Sequence, residues 1–244
     1  MDVQLTADDV LVLLHGENET GNTRSHSNLD TVVWEENYDY LYNNANFGYH
    51  YQEEDGSYLY QDMTPSEWQA ANVYLPTLDE VFEAFGDQIL YNIEIKADSD
   101  APREETADAL YDLIIEHDLV DYVLVATAFE DIGNHIIENY PELYLSTNYA
   151  SAQSYVISAY TLTTLFKPQP LYAAMQVPTS YGIPVIQTLR LDTRLLIHTL
   201  HQQNMAMHYW TINDEDDMRA LIKKGADGII TDYPELVKNI VSID

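Results

Sequence analysis

Three ionisable side chains stand where such groups are costly. Asp2 opens the extended run Asp2-Val3-Gln4-Leu5, and His15 directly follows Leu11-Val12-Leu13-Leu14. Glu94 lies inside Asn92-Ile93-Glu94-Ile95-Lys96, a segment otherwise patterned as a strand. Side chains alternate across a strand, so Asn92, Glu94 and Lys96 share one face and Ile93 and Ile95 the other. Burying Glu94 alone would cost on the order of several kcal/mol, so it needs Lys96 or a cation beside it. Two carboxylates suit a hard dication such as Mg2+ or Ca2+. A lysine offers a point charge for a phosphate oxygen, and a histidine at a strand end can move protons near neutral pH. Together these fit metal-assisted phosphoester cleavage, in which charge neutralisation is the main need. Each residue also has a plainer reading. Glu94 and Lys96 could be a structural ion pair, His15 a cap or core histidine, and Asp2 part of a frayed terminus. The other seven histidines, His198 and His201 among them, read as surface residues with no assigned role.

Positioning such groups requires a scaffold, and from Asp79 onward the chain alternates short apolar runs with helical stretches. Ile89–Ile95 reads as a strand, and 104–117 as a helix with Ala107, Leu110, Leu113 and Ile114 on one face. Residues 122–126 form the next strand, and 131–140 a helix stopped by Pro141. A weaker strand at 143–147, a helix before Phe166 and a strand at 171–177 follow, with helix the alternative for 171–177 because Ala and Leu favour it. The last third continues with a helix over 192–203 and a strand over 205–212. A helix capped by Asn213 or Asp214 comes next, acidic in its first turn and ended by Lys223, Lys224 and Gly225. The strand 228–231 and a helix opened by Pro234 close the pattern. Repeated strand–helix units imply right-handed crossovers and a parallel sheet. No Gly-x-Gly-x-x-Gly follows a strand, which favours a (β/α)8 barrel over a dinucleotide-binding sheet. In a barrel, Glu94 and Lys96 would point into the mouth near the C-terminal strand ends.

The first third differs. Val3–Leu5 and Val10–Leu14 read as a hairpin joined by Thr6-Ala7-Asp8-Asp9. Residues 16–74, rich in Asn, Tyr, Glu and Asp with weak periodicity, read as a long insertion in a single domain spanning 1–244.

Composition narrows the partners. The formal charge of −31 repels phosphate backbones and anionic lipid, so nucleic acid is excluded as a partner, and a polybasic membrane surface binder likewise. The absence of cysteine removes disulfides, thiolate metal sites and cysteine nucleophiles. No apolar run is long enough for a transmembrane helix, and Met-Asp-Val-Gln is no signal peptide, so a cytoplasmic protein without membrane insertion is expected. A charge excess of this size also destabilises the compact state unless cations screen it. Adaptation to a salty interior and a simple solvated acidic surface both accommodate it.

At these residues the sequence resembles the glycerophosphodiester phosphodiesterase family. Asp2-Val3-Gln4-Leu5-Thr6, Asp8 and His15 resemble its opening metal-and-histidine segment, and Leu75-Pro76-Thr77-Leu78-Asp79-Glu80-Val81 its proline–threonine–leucine helix entry. Asn92-Ile93-Glu94-Ile95-Lys96 matches its acid–lysine strand, and Trp210-Thr211-Ile212-Asn213 with 225–234 resembles its closing strands. The resemblance implies a (β/α)8 barrel that hydrolyses small-molecule glycerophosphodiesters to glycerol 3-phosphate and an alcohol, using a divalent metal and two histidines. By position, Asp2 and Glu94 would be metal ligands and His15 a catalytic acid/base. Lys96 would hold the phosphate, and Trp210 would wall the glycerol or leaving-group pocket.

The departures carry equal weight. The family opens with a strand bearing His-Arg-Gly, then a helix with Glu-Asn-Thr, then a metal Glu two residues before the metal Asp. This chain shows none of these. Seven strands can be placed, starting near Asp2, Ile89, Tyr122, Leu143, Leu171, Met205 and Gly228. The expectation is therefore a barrel lacking its first β/α unit, from a truncated copy or a longer reading frame. The strands at Asp2 and Gly228 would each expose an unpaired edge, and turnover would be small or nil. Gly16 follows His15 where the family has an Asp that could orient the ring. Two alternatives stand beside the hydrolase: a non-catalytic remnant with a binding role, and a phospholipase D-like barrel of the sphingomyelinase D type.

Overall fold

Thr6 closes the first turn of the chain. Its Oγ1 donates to Asp8 Oδ1 at 2.7 Å and accepts from Val10 N at 3.0 Å, while Asp9 takes a left-handed φ of 61°. The result is the expected hairpin, β1 (Asp2–Leu5) against β2 (Leu11–Leu13), with Val3 opposite Leu13 and Leu5 opposite Leu11. The computed structural model describes residues 1–16, 21–96, 100–161, 163, 171–182 and 188–241. The first residues of the insertion and part of the stretch up to Phe166 fall outside them. The chain divides into two compact units, Met1–Thr127 with Asn134–Leu143, and Ala128–Gly133 with Tyr144–Asp244.

In the first unit β1 pairs in parallel with β3 (Tyr91–Ile95), which pairs in parallel with β4 (Val123–Ala126). The order is β2-β1-β3-β4. This corrects one expectation: β1 has no open edge, because β2 folds back onto it. An apolar arm four residues away satisfies backbone groups that would otherwise face solvent.

The insertion also holds more structure than its sequence advertises. It contains a 3-10 turn at Val33–Glu35 and the helices α1 (Tyr38–Asn44) and α2 (Pro65–Ala70). Helices of seven and six residues are too short for a 3.6-residue period to repeat visibly. Val33, Leu41 and Leu75 bury against Val12 and Leu14, so the insertion covers the hairpin.

Thr77 and Glu80 then form a capping box that starts α3 (Leu78–Phe85). Phe82 of that helix meets Tyr91 edge-on at 5.0 Å. Tyr91, Ile93 and Ile95 are thereby the helix-facing side of β3, all buried, and Asn92 and Glu94 face the other way. Helix α4 (Arg103–Glu116) buries Leu110 and Ile114, and α5 (Glu130–Asn139) follows β4.

The second unit begins with β5 (Tyr144–Leu145) and α6 (Tyr149–Tyr160), capped by Asn148. A parallel bridge from Ser146 to Ala174 joins this segment to β6 (Ala174–Val177). A ribbon of β7 (Ser180–Tyr181) and β8 (Leu189–Arg190) leads to α7 (Arg194–His201) and β9 (Ala206–Tyr209). Asp214 caps α8 (Glu215–Lys224), Gly225 ends it with a φ of 102°, and β10 (Gly228–Ile229) and α9 (Pro234–Val241) complete the chain. Strands β6, β9 and β10 are parallel neighbours. Met175, Val177, Met207 and Tyr209 share one core with Leu196, Leu200, Met218 and Leu221 from the helices. Strand alternation therefore turns Ala174, Gln176, Ala206 and His208 to the opposite face. Seven strands begin at or within three residues of the seven expected starts, but several are shorter than read: 171–177 begins only at Ala174, 205–212 ends at Tyr209 and 228–231 at Ile229.

One buried carboxylate staples this unit. Asp192 is 5 % exposed and receives Arg190 Nη2 and Lys224 Nζ, each at 2.5 Å. The Arg190 hydrogen bond holds its pKa down at about 2 against the desolvation that opposes it. A carboxyl lowered on folding stabilises above its ordinary pKa and loses that contribution as pH falls through the folded value. Asp192→Asn is therefore expected to lower the melting temperature at pH 7 and to narrow the gap to the parent progressively between about pH 4 and pH 2. Thermal melts across that range check it; a pH-independent difference would contradict the ionic role.

Candidate active site

The pairing of β1 with β3 sets Asp2 directly opposite Glu94. Opposed residues on neighbouring strands share a face, so both carboxylates lie on the side turned away from α3. Two backbone bonds pin that register, Glu94 N to Met1 O at 2.9 Å and Lys96 N to Val3 O at 3.1 Å. Lys96 Nζ sits 3.0 Å from Glu94 Oε1, and the lysine is 9 % exposed against 34 % for the glutamate. The plainer reading of this pair, a structural ion pair, is thus present in the geometry. Asp2 is half-buried, and among the described residues its carboxylate has no side-chain hydrogen bond or ion pair.

His15 arrives at the same end of the hairpin. Leu14 N donates to Asp2 O at 3.0 Å, and His15 is the next residue, exposed to solvent. Its Nδ1 lies 3.2 Å from Gly16 O. A carbonyl only accepts, so that bond requires the proton on Nδ1. The backbone carbonyl of Gly16 does here what a following aspartate could do, at lower charge.

Sequence reasoning overlooked Gln4. It is 1 % exposed, and its Nε2 donates to Leu14 O at 3.0 Å and to His15 O at 3.4 Å, which ties the histidine's backbone to β1. Gly16 and Gly21 both take positive φ against this side chain. A Cβ at Gly21 would fall 2.3 Å from Gln4 Oε1 and from the Trp34 ring. The available signal was the two-residue alternation that sets Gln4 on the face of Asp2.

In the second unit Trp210 follows β9 and is 44 % exposed, with its N–H donating to Val177 O at 3.3 Å. Tyr209 is in the core, so Trp210 projects to the face that carries His208. His208 was read from sequence as a surface residue. It is instead half-buried inside a strand, and Gly228 approaches its ring so closely that a Cβ there would lie 2.6 Å from it.

Whether a dication suits this chain is tested by the donor set. No group of three His, Cys, Asp or Glu side chains able to hold a metal occurs among the described residues. Two carboxylates on one face, one of them unengaged, nevertheless suit a hard cation. Mg2+ in particular keeps water in its shell and takes one or two protein carboxylates plus substrate phosphate oxygens. The residues present fit such an ion.

The first unit thus carries two carboxylates, a lysine and a histidine near one end of β1 and β3. The chain matches the model of the glycerophosphoryl diester phosphodiesterase family over residues 1–236, and it belongs to that family. It is 23% identical to the glycerophosphodiester phosphodiesterase of Caldanaerobacter subterraneus subsp. tengcongensis, over 99% of this chain and 84% of the relative. It is also 23% identical to that of Bacillus subtilis, over 98% of this chain and 75% of the relative. Among solved structures, the glycerophosphoryl diester phosphodiesterase domain of a Mycobacterium tuberculosis protein aligns with a TM-score of 0.75 at 12% identity, covering 100% of this chain and 87% of that one. An Oleispira antarctica phosphodiesterase, solved with its product sn-glycerol-3-phosphate, aligns at 0.68 with 20% identity, covering 99% and 83%. The fold is the α/β TIM-type barrel of this family, and the chain is a phosphodiesterase by class. Among the described residues no helix is long and apolar enough to cross a membrane.

Proposed function

We propose that the chain hydrolyses glycerophosphodiesters to glycerol 3-phosphate and an alcohol with a divalent metal, Mg2+ or Ca2+. The observation that carries this reading is the register that pairs Asp2 with Glu94 beside Lys96. Asp2 and Glu94 would hold the ion, which when bound neutralises phosphate charge and polarises the phosphoryl group. Lys96 Nζ supplies a second positive charge for a phosphate oxygen. His15 takes or gives a proton at its imidazole. Trp210 offers an apolar wall to the glycerol or leaving group. The whole chain acts as one catalytic domain, with 16–74 as an insertion.

One observation favours a second reading, a non-catalytic barrel with a binding role: Lys96 pairs with Glu94 at 3.0 Å, which gives the glutamate a structural partner without a metal. Hydrolysis of glycerophosphocholine and of bis(p-nitrophenyl) phosphate, each with Mg2+, with Ca2+ and with chelator, separates the two. Release of glycerol 3-phosphate that chelation stops supports the hydrolase. Absence of release with either metal supports the binding barrel, and release unaffected by chelation overturns the metal role.

A further inference from the structure

Gln4 occupies a place where an apolar side chain would pack. It lies opposite Val12 in the hairpin, on the side that Val33 and Leu41 of the insertion cover, and is almost wholly buried. Its Oε1 is buried with no hydrogen-bond partner. An amide in that state forgoes a bond that it makes in water, and a valine or leucine in its place would carry no such cost. Packing alone does not explain this residue.

The other end of the amide does. Nε2 donates to the carbonyls of two successive residues, Leu14 at 3.0 Å and His15 at 3.4 Å. Carbonyls only accept, so the amide's orientation is fixed with its nitrogen toward them. The strand register of the hairpin runs to Val3–Leu13 and is followed by the bond from Leu14 N to Asp2 O. Past that point the side chain of Gln4 takes over from backbone pairing, at the residue that carries the imidazole. The chain then turns around the same amide. Gly16 and Gly21 take φ of 77° and 70°, and a Cβ at Gly16 would fall 3.1 Å from Gln4 Nε2 and 2.8 Å from Gly21 N. Glycine at both points lets the backbone close on the amide that tightly.

We propose that Gln4 is a positioning residue for His15: it holds the backbone from which the imidazole projects and so sets where the ring stands. The proposal rests on the hydrolase reading above and deepens it by naming what keeps the acid/base in place. At 1 % exposure Gln4 does not itself meet a substrate. Its effect on the reaction runs through His15, and reacting groups lose rate steeply when they are displaced by as little as about 1 Å.

The test is Gln4→Met, which keeps the length of the side chain and removes its donors, made in the parent and in His15→Ala. Thermal melts establish that each protein is folded. Hydrolysis of glycerophosphocholine with Mg2+ gives kcat and KM, and NMR follows the imidazole 15N and 1H signals of His15, identified by their loss in His15→Ala. The expected result is that Gln4→Met moves the His15 signals and lowers kcat by up to about 10^2-fold, with KM and Mg2+ affinity unchanged. In the His15→Ala background the same substitution should remove no further rate, because groups that act as a unit are not additive. A side chain that served stability alone would lower the melting temperature and leave kcat of the folded protein where it was. Should Gln4→Met not fold, Gln4→Glu answers the same question, since it keeps the shape and, as a carboxylate, has no donor. Unmoved His15 signals with unchanged kcat would overturn the inference while the hydrolase reading stands. An equal loss of kcat in both backgrounds would overturn it too, by showing that Gln4 does not act through His15. A parent that releases no glycerol 3-phosphate fails the hydrolase reading itself, and this inference with it.

Discussion

His15→Ala is expected to reduce the rate of glycerophosphodiester hydrolysis by about 10^2- to 10^4-fold, the usual worth of one positioned general acid or base. Divalent-metal affinity should be unchanged. The division follows from placement: the imidazole leaves the hairpin after β2, while the carboxylates sit on β1 and β3. His15 is exposed, and thermal melts of both proteins separate a loss of rate from a loss of fold. The measurements are steady-state hydrolysis with Mg2+ and calorimetric metal titration on both proteins. An unchanged rate would remove His15 from the chemistry, and an equal loss of metal affinity would reassign it as a ligand.

Glu94→Gln should do the reverse, acting first on the metal. Replacing a carboxylate ligand by an amide should weaken Mg2+ or Ca2+ binding by at least the roughly 10- to 100-fold that follows loss of a mere supporting hydrogen bond around a metal. It also removes the counter-charge of Lys96, a nearly buried ammonium. Breaking a fully buried pair costs about 3–5 kcal/mol; Glu94 is one-third exposed, so the loss here should fall below that range. The two effects separate the two readings of the pair. Lower thermal stability with unaltered metal affinity would make Glu94 the partner of Lys96 and nothing more. Lower metal affinity that Lys96→Met does not reproduce would make it a ligand. Asp2→Asn supplies the control, since among the described residues Asp2 has no ion pair at stake and the metal should respond.

Much of the second unit could be read from the chain directly, because its signals are local. Asp214 before an acidic first turn, Gly225 after Lys223 and Lys224, and Pro234 at a helix start each act within one helical turn, and each appears where the pattern placed it. The alternation in β3 was equally legible, since Ile93 and Ile95 need burial whatever lies beyond the strand. The insertion was not legible. Its helices are too short to show a period, and what orders them is the contact of Val33 and Leu41 with Val12 and Leu14, 19 to 29 residues back along the chain. His208 was misread for a similar reason: a lone histidine among apolar residues does not announce which face it occupies until neighbouring strands fix the sheet.

Residue types and spacing by themselves determined the strand–helix alternation, the hairpin, the caps and the identity of the acids, lysine and histidine that could do chemistry, because each depends on a few bonded neighbours. Tertiary structure alone decided that Asp2 stands opposite Glu94, that Gln4 anchors the backbone of His15, and that the helices of the insertion pack onto the hairpin. Those facts join residues up to 92 positions apart, numbered 2 and 94. Strand register is set by which buried faces match across the whole sheet, and no local pattern contains that information.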